Sequence, residues 1–249
     1  MKNDFKLIIS FLQNTRFKVT IVILALLSFM AFGSITNKMT IVDGIYNILT
    51  WNFFIMVLLF LFLFNAYNII TETSKNYSFL IRIKNYKEFI SKIIKFIFIS
   101  NLIIYLIVLF LLLIISVLRT GMNLQIDSYG IYNINNLVYL IFHIIRSYFI
   151  LNMLVVILVS LYKLVKEEMV VILSGILPIS IVALTPFISE KKITSVFKLP
   201  LYYGEYFIKN NYETFIFEIC MSLLFISVLA LISKILIEVT SKRKIDLAI

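Results

Sequence analysis

Apolar residues in this chain gather into long unbroken blocks instead of alternating with polar ones. Six blocks stand out, at roughly 19–35, 50–70, 93–118, 137–162, 169–188 and 214–237. A helix needs about 20 mostly apolar residues to cross about 30 Å of hydrocarbon, so each block predicts a transmembrane helix. The first block is short, while the third and fourth are long enough to tilt or to extend past the bilayer. A membrane β-barrel would alternate apolar and polar positions, and the run LIIYLIVLFLLLIISVL at 102–118 excludes that. The expected fold is therefore one all-α membrane domain over 1–249 with six transmembrane helices.

The segments between the blocks carry patterns of their own. Near the N-terminus Phe5, Ile8, Ile9 and Leu12 share one helical face, with Lys6, Gln13 and Asn14 away from it. That spacing predicts an amphipathic helix within 1–18, lying in the membrane interface. Between the second and third blocks, TETSKNYSFLIRIKNYKEFISKIIKF at 71–96 is basic but also striped, with Phe79, Ile83, Tyr86, Ile90, Ile93 and Ile97 at helical spacing. Lys84, Glu88 and Lys92 follow one another at i,i+4, which favours a helix. The third span is expected to continue out of the membrane here and to form a helical hairpin with the second. TNKMTIVDGIYN at 36–47 and RTGMNLQIDSYGIYNINN at 119–136 read as surface loops. YKLVKEEM at 162–169 reads as a tight turn between the fourth and fifth spans. SEKKITSVFKLPLYYGEYFIKNNYE at 189–213 is too apolar for a solvated loop and too interrupted for a span. It predicts two short external helices broken around Pro200, with Tyr202 and Tyr203 among the aromatics that favour an interface. Re-entrant backbone at such a depth must be buried in protein or line a cavity.

Composition sharpens this picture. The chain is 61% hydrophobic and 14% charged, whereas soluble domains run near half apolar with about a quarter charged. A formal net charge of +10 would suggest nucleic acid in a soluble protein. Here the charges flank spans, so no nucleic-acid partner is expected and the charges set orientation. The tails and even-numbered loops hold Lys2, Lys6, Arg16, Lys18, Lys75, Arg82, Lys84, Lys87, Lys92, Lys95, Lys163, Lys166, Lys242, Arg243 and Lys244. The odd-numbered loops hold Lys38, Arg119, Lys191, Lys192, Lys198 and Lys209. Both termini and the 71–96 segment are thus expected on the cytoplasmic side. The first block is long for a signal peptide and has no small-residue cleavage site, so it is expected to remain as a span.

Catalytic chemistry finds little to work with. No GxxxxGK[ST] loop occurs, so ATP is not expected to bind this chain through a P-loop. One histidine, His143, and one cysteine, Cys220, exclude a multi-histidine or cysteine-rich metal centre. No catalytic residue is expected, and no cofactor in this chain. Glu167 and Glu168 lack the arginine and histidine partners an intramembrane protease would place around them. Ionisable groups inside spans are functional candidates by default. They are His143 and Arg146 in the fourth span, Glu218 in the sixth, and Lys234 with Glu238 near that span's end. Arg146 either lines a substrate path, pairing with Glu218, or is satisfied inside the bundle by backbone carbonyls or Asn152. A proton-coupled secondary transporter would carry more buried acids and matched broken spans.

The order of these segments resembles the permease subunits of type-2 ABC transporters, the O-antigen and drug exporter kind. Locally the likeness is strongest at 72–92, where Glu72, Ser78, Arg82 with Lys84, and the Ser91–Lys92 pair look like that family's span end, polar turn, basic bend and span start. FKLPLYYGEYF at 197–207 looks like its short external helices. The family's Gly-Thr near the turn is missing, and Asn85 stands where it has a proline at the bend. A chain of this size without an attached ATPase further resembles the permeases that protect producers of lantibiotics and related bacteriocins. The resemblance implies a bacterial plasma-membrane protein that is not itself an enzyme. A separate cytoplasmic subunit would bind ATP and magnesium, and a second permease, the same or a homologous chain, would complete the transporter. Glu72, Arg82, Lys84, Asn85, Lys87 and Lys92 would couple to the ATPase. An amphipathic substrate would be drawn from the membrane lipid past His143, Arg146, Asn152 and Glu218. The competing expectation is an ATP-independent membrane protein acting in immunity, scaffolding or sensing.

Overall fold

The computed structural model describes residues 18–19, 21–23, 25–26, 35, 39–50, 52–75, 86–121, 123, 128–129, 134–160 and 212–242. Among these, five helices stand in the order α1 (Ile41–Thr50), α2 (Asn52–Lys75), α3 (Tyr86–Thr120), α4 (Asn136–Ser160) and α5 (Tyr212–Lys242). Two-residue strands, β1 (Ser128–Tyr129) and β2 (Ile134–Asn135), pair antiparallel between α3 and α4, with Ser128 opposite Asn135 and Tyr129 opposite Ile134. Residues 18–19, 21–23 and 25–26 are also helical. Residues 1–17, expected as an interfacial helix, 169–188, expected as a span, and 189–211, expected as external helices with Pro200, Tyr202 and Tyr203, lie outside the described residues.

Among the described residues, four helices contain segments long and apolar enough to cross a membrane: Val57–Ser74, Lys87–Thr120, Asn136–Ser160 and Ser222–Val239. Their outward faces are apolar. On α3 Leu102, Leu106, Phe110 and Leu113 are exposed, on α4 Val138, Ile141, Ile145 and Phe149, and on α5 Leu223, Leu224, Val228, Leu231 and Ile235. So much contiguous apolar surface is foreign to a soluble monomer. It is consistent with a multi-pass membrane protein.

Two expected loops turn out to be structured. Residues 41–47 are helical, because Thr40 and Asp43 form a reciprocal cap: Thr40 Oγ1 accepts the Asp43 amide at 3.1 Å and donates to Asp43 Oδ2 at 2.7 Å. The Asp43 carboxylate also favours the positive end of the helix. The 119–136 segment holds the β1–β2 ladder. Gly121, at φ +66°, closes α3 in the left-handed conformation that glycine adopts without strain. Asn135 Oδ1 then accepts the Leu137 amide at 2.9 Å and starts α4.

The core lies between α1, α2, α3 and α4. Ile45, Ile48, Phe62, Ile69, Ile93, Ile97, Ile104, Val108, Leu112 and Val155 are all buried in one cluster. At its Thr120 end, α3 is held against the chain before α2. Arg119 Nε donates to the Ile35 carbonyl at 3.0 Å, and the Ile41 amide donates to the Asn123 carbonyl at 3.1 Å. Gly44 allows this approach, since a Cβ there would stand 3.1 Å from Ser116 Oγ and 3.4 Å from Ile35 Cγ2. Gly44→Val is expected to destabilise the fold by about 1–3 kcal/mol through overpacking. Gly44→Ala combined with Ser116→Ala should retain near-native stability, because the hydroxyl in the way is gone. Thermal unfolding of the purified variants checks both.

Candidate functional site

Three groups of polar residues stand out, and the first is a chain of amides crossing three helices. Asn65 of α2 donates from Nδ2 to Ser100 Oγ at 2.9 Å and to Asn101 Oδ1 at 2.8 Å, both on α3. The Ser100 hydroxyl donates back to Asn65 Oδ1 at 3.3 Å. Asn101 Nδ2 donates to Asn152 Oδ1 of α4 at 2.9 Å, and Asn152 Nδ2 donates to the Tyr148 carbonyl one turn earlier at 2.9 Å. Asn65, Ser100, Asn101 and Asn152 are all buried. An amide in a membrane interior has no water to turn to, so such side chains hydrogen-bond across helices. Each amide here meets the next, and α2, α3 and α4 are clasped at one level. Beside this clasp, Tyr148 donates its hydroxyl to the Phe98 carbonyl at 2.8 Å, and the Tyr105 hydroxyl lies 2.6 Å from Ser147 Oγ.

The second group surrounds His143 and Arg146, adjacent on α4 and both buried. Arg146 Nη2 stands 3.5 Å from His143 Nδ1, at the outer limit of a hydrogen bond. The guanidinium carbon lies 5.2 Å from the centroid of the Phe142 ring, within cation–π range. Tyr46 of α1 meets His143 edge-on at 5.4 Å and tilts against Tyr139 at 5.4 Å. Ile219 of α5 also packs on Tyr139. A cation and an imidazole are thus enclosed by aromatic rings where α1, α4 and α5 meet.

Asn152 does not belong to this group. It lies six residues beyond Arg146, about 9 Å along the helix, and its amide is engaged by Asn101 and the Tyr148 carbonyl. The buried face of α4 in fact changes side. Tyr139, His143, Arg146 and Ile150 bury one side, and Asn152, Val155, Val156 and Val159 the other, nearly half a turn away at about 100° per residue. Glu218 is carried on α5, but its side chain lies outside the described ones. Lys234 and Glu238 are exposed on the same helix.

The third group is the basic end of α3. Ile90, Ile93 and Ile97 of the apolar stripe are buried, and the helix runs without a break from Tyr86 to Thr120. Lys87 is exposed. Lys92 pairs with Glu88 at 2.9 Å, as the i,i+4 spacing predicts. Glu72 is exposed near the end of α2. Phe79, Arg82, Ile83, Lys84 and Asn85 lie outside the described residues. No group of three or more metal-ligating side chains forms among the described residues.

No family model, curated protein or solved structure matches the chain.

From the sequence, Asn152 enters only as a partner for Arg146 or as part of a substrate path, and Asn65 and Asn101 do not enter at all. The signal was there: Asn65, Asn101 and Asn152 each interrupt a long apolar block. Asn101→Leu removes the middle of the clasp and leaves one polar atom without its partner on each side, an Asn65 N–H and Asn152 Oδ1. It is expected to cost about 1–3 kcal/mol, more than Ser91→Leu at an exposed position of the same helix. Unfolding of both variants in the same detergent checks the difference.

Proposed function

We propose that the chain is the permease subunit of an exporter whose energy comes from a separate ATP-binding subunit. The cargo is an amphipathic molecule taken from the membrane: a lantibiotic or other bacteriocin, an antimicrobial peptide, a drug or a lipid. The observation that carries this reading is the uninterrupted helix α3, 35 residues from Tyr86 to Thr120. It is about 52 Å long at 1.5 Å per residue, well beyond the hydrocarbon thickness. Its first two turns hold Lys87, Glu88 and Lys92 on the same rigid rod as the span. A push at that end moves the membrane part, whereas an unstructured tether would absorb it.

The clasp extends this consequence. Because α3 is tied to α2 through Asn65 and to α4 through Asn152, movement of the rod carries three helices together. The partner's ATP cycle would favour one arrangement of these helices over another, to the extent that it binds the two differently. Arg82 and Lys84, between α2 and α3, would meet acidic groups on that partner, with Asn85, Lys87 and Glu72 beside them. The His143–Arg146 group, where α1, α4 and α5 meet, is assigned to the substrate side of this permease, away from the coupling end. Two such permeases would enclose the path.

The test is co-expression with any P-loop ATPase encoded beside the gene, followed by co-purification from membranes. Reversal of both charges, Arg82→Glu with Lys84→Glu, brings like charges together at a cost of several kcal/mol. It is expected to weaken the complex by roughly a hundredfold and to abolish transport, with membrane insertion unchanged. Normal transport by this variant with its partner bound would refute the coupling role. Failure of the wild-type chain to bind any such ATPase would favour an ATP-independent membrane protein.

A further inference from the structure

The exposed face of α3 changes character along a single line. Lys87, Ser91 and Lys95 are exposed at one end. Leu102, Leu106, Phe110 and Leu113 continue the exposed side further along. At about 100° per residue all seven fall on one broad side of the helix. This is the side that meets lipid. The ammonium group of Lys95 therefore starts from the lipid-facing surface, not from a surface turned into the bundle.

Helix length sets the depth of each of these residues. Between Lys95 and Arg119 no residue of α3 is charged. Those 24 steps span about 36 Å at 1.5 Å each, slightly more than the roughly 30 Å of hydrocarbon. Lys95 and Arg119 thus bracket the apolar core, each a few Å outside it, at the level of the headgroups. Ser91 lies one turn further out on the same side. Lys87 lies about 12 Å beyond Lys95, past the headgroup layer. Lys92 has its own counter-charge in Glu88, 2.9 Å away.

We infer that Lys95 and Ser91 form a binding position for the phosphodiester of an anionic phospholipid on the lipid-facing side of α3. The lysine supplies the charge and the hydroxyl a second donor one turn away. Acyl chains would then lie along Leu102, Leu106 and Phe110. The basic cluster divides into two parts: Lys95 belongs to the bilayer, and Lys87 to the space beyond it. Lipid retention at this position depends on α3 alone and needs no ATPase, so its test is separate from that of the transport reading.

The full chain is reconstituted in nanodiscs of phosphatidylcholine with a graded fraction of phosphatidylglycerol, and the lipids it retains are counted by native mass spectrometry. A lysine near an anionic membrane surface contributes about a fivefold preference for anionic lipid. Lys95→Gln should lower phosphatidylglycerol retention by about that factor. Lys95→Arg should keep it, Ser91→Ala should lower it less, and Lys87→Gln should leave it unchanged. Retention by Lys95→Gln equal to wild type, or equal loss in Lys87→Gln, overturns the assignment. So does a Lys95→Gln chain that keeps its lipid but no longer co-purifies with the ATPase, since Lys95 would then belong to a protein interface.

Discussion

An amide side chain in hydrocarbon has to find its hydrogen bonds inside the protein, and the described helices are arranged around that requirement. Asn65, Asn101 and Asn152 come from α2, α3 and α4 and satisfy one another in series, with Ser100 and the Tyr148 carbonyl closing the ends. Apolar packing alone distinguishes poorly between one helix register and the next in a membrane, because lipid tails are as apolar as leucine. A slip of one residue in any of the three helices would strand at least one amide. The clasp thus specifies register, and the isoleucine-rich packing around it, Ile93, Ile97 and Ile104 on α3 with Ile69 on α2, supplies contact area.

The change of buried side along α4 follows from the same constraint. Asn152 and the valines beyond it must face α2 and α3, while Tyr139 and His143 face Tyr46, and Ile219 packs on Tyr139. One helix serves two neighbourhoods, one apolar with an amide clasp and one aromatic with a buried cation. A charge is costly at such depth; ring faces and the histidine nitrogen offset part of that cost. Arg146 and Asn152 therefore play separate parts, although both are polar interruptions of the same span.

Much of the helical content was legible because block length is a blunt signal. The second, third, fourth and sixth blocks correspond to α2, α3, α4 and α5, and α2, α3 and α5 continue past their blocks into polar residues that are still helical. The Ile90–Ile93–Ile97 stripe and the Glu88–Lys92 pair announced the extension of α3 before Lys92. Helix α1 was not legible as a helix, since Asp43, Gly44 and Tyr46 in a short connection look like a turn. The Thr40–Asp43 cap and burial of Ile45 and Ile48 override that local preference. The clasp was missed because hydrogen bonding between helices depends on which faces meet, and periodicity within one block does not carry that information. The same holds for the separation of Asn152 from Arg146.

The clasp ties α2, α3 and α4 together, and the proposed coupling through the basic end of α3 depends on that tie. The most direct measurement is a double-mutant cycle across Asn101 and Asn152, with each changed to Leu singly and together and unfolding followed in lipid nanodiscs. A clasp of the kind described predicts a coupling of about 0.5–2 kcal/mol, the double variant losing less than the sum of the two single losses. Strict additivity would mean that the two amides do not act on each other, and the three helices would have to be held in register by something else.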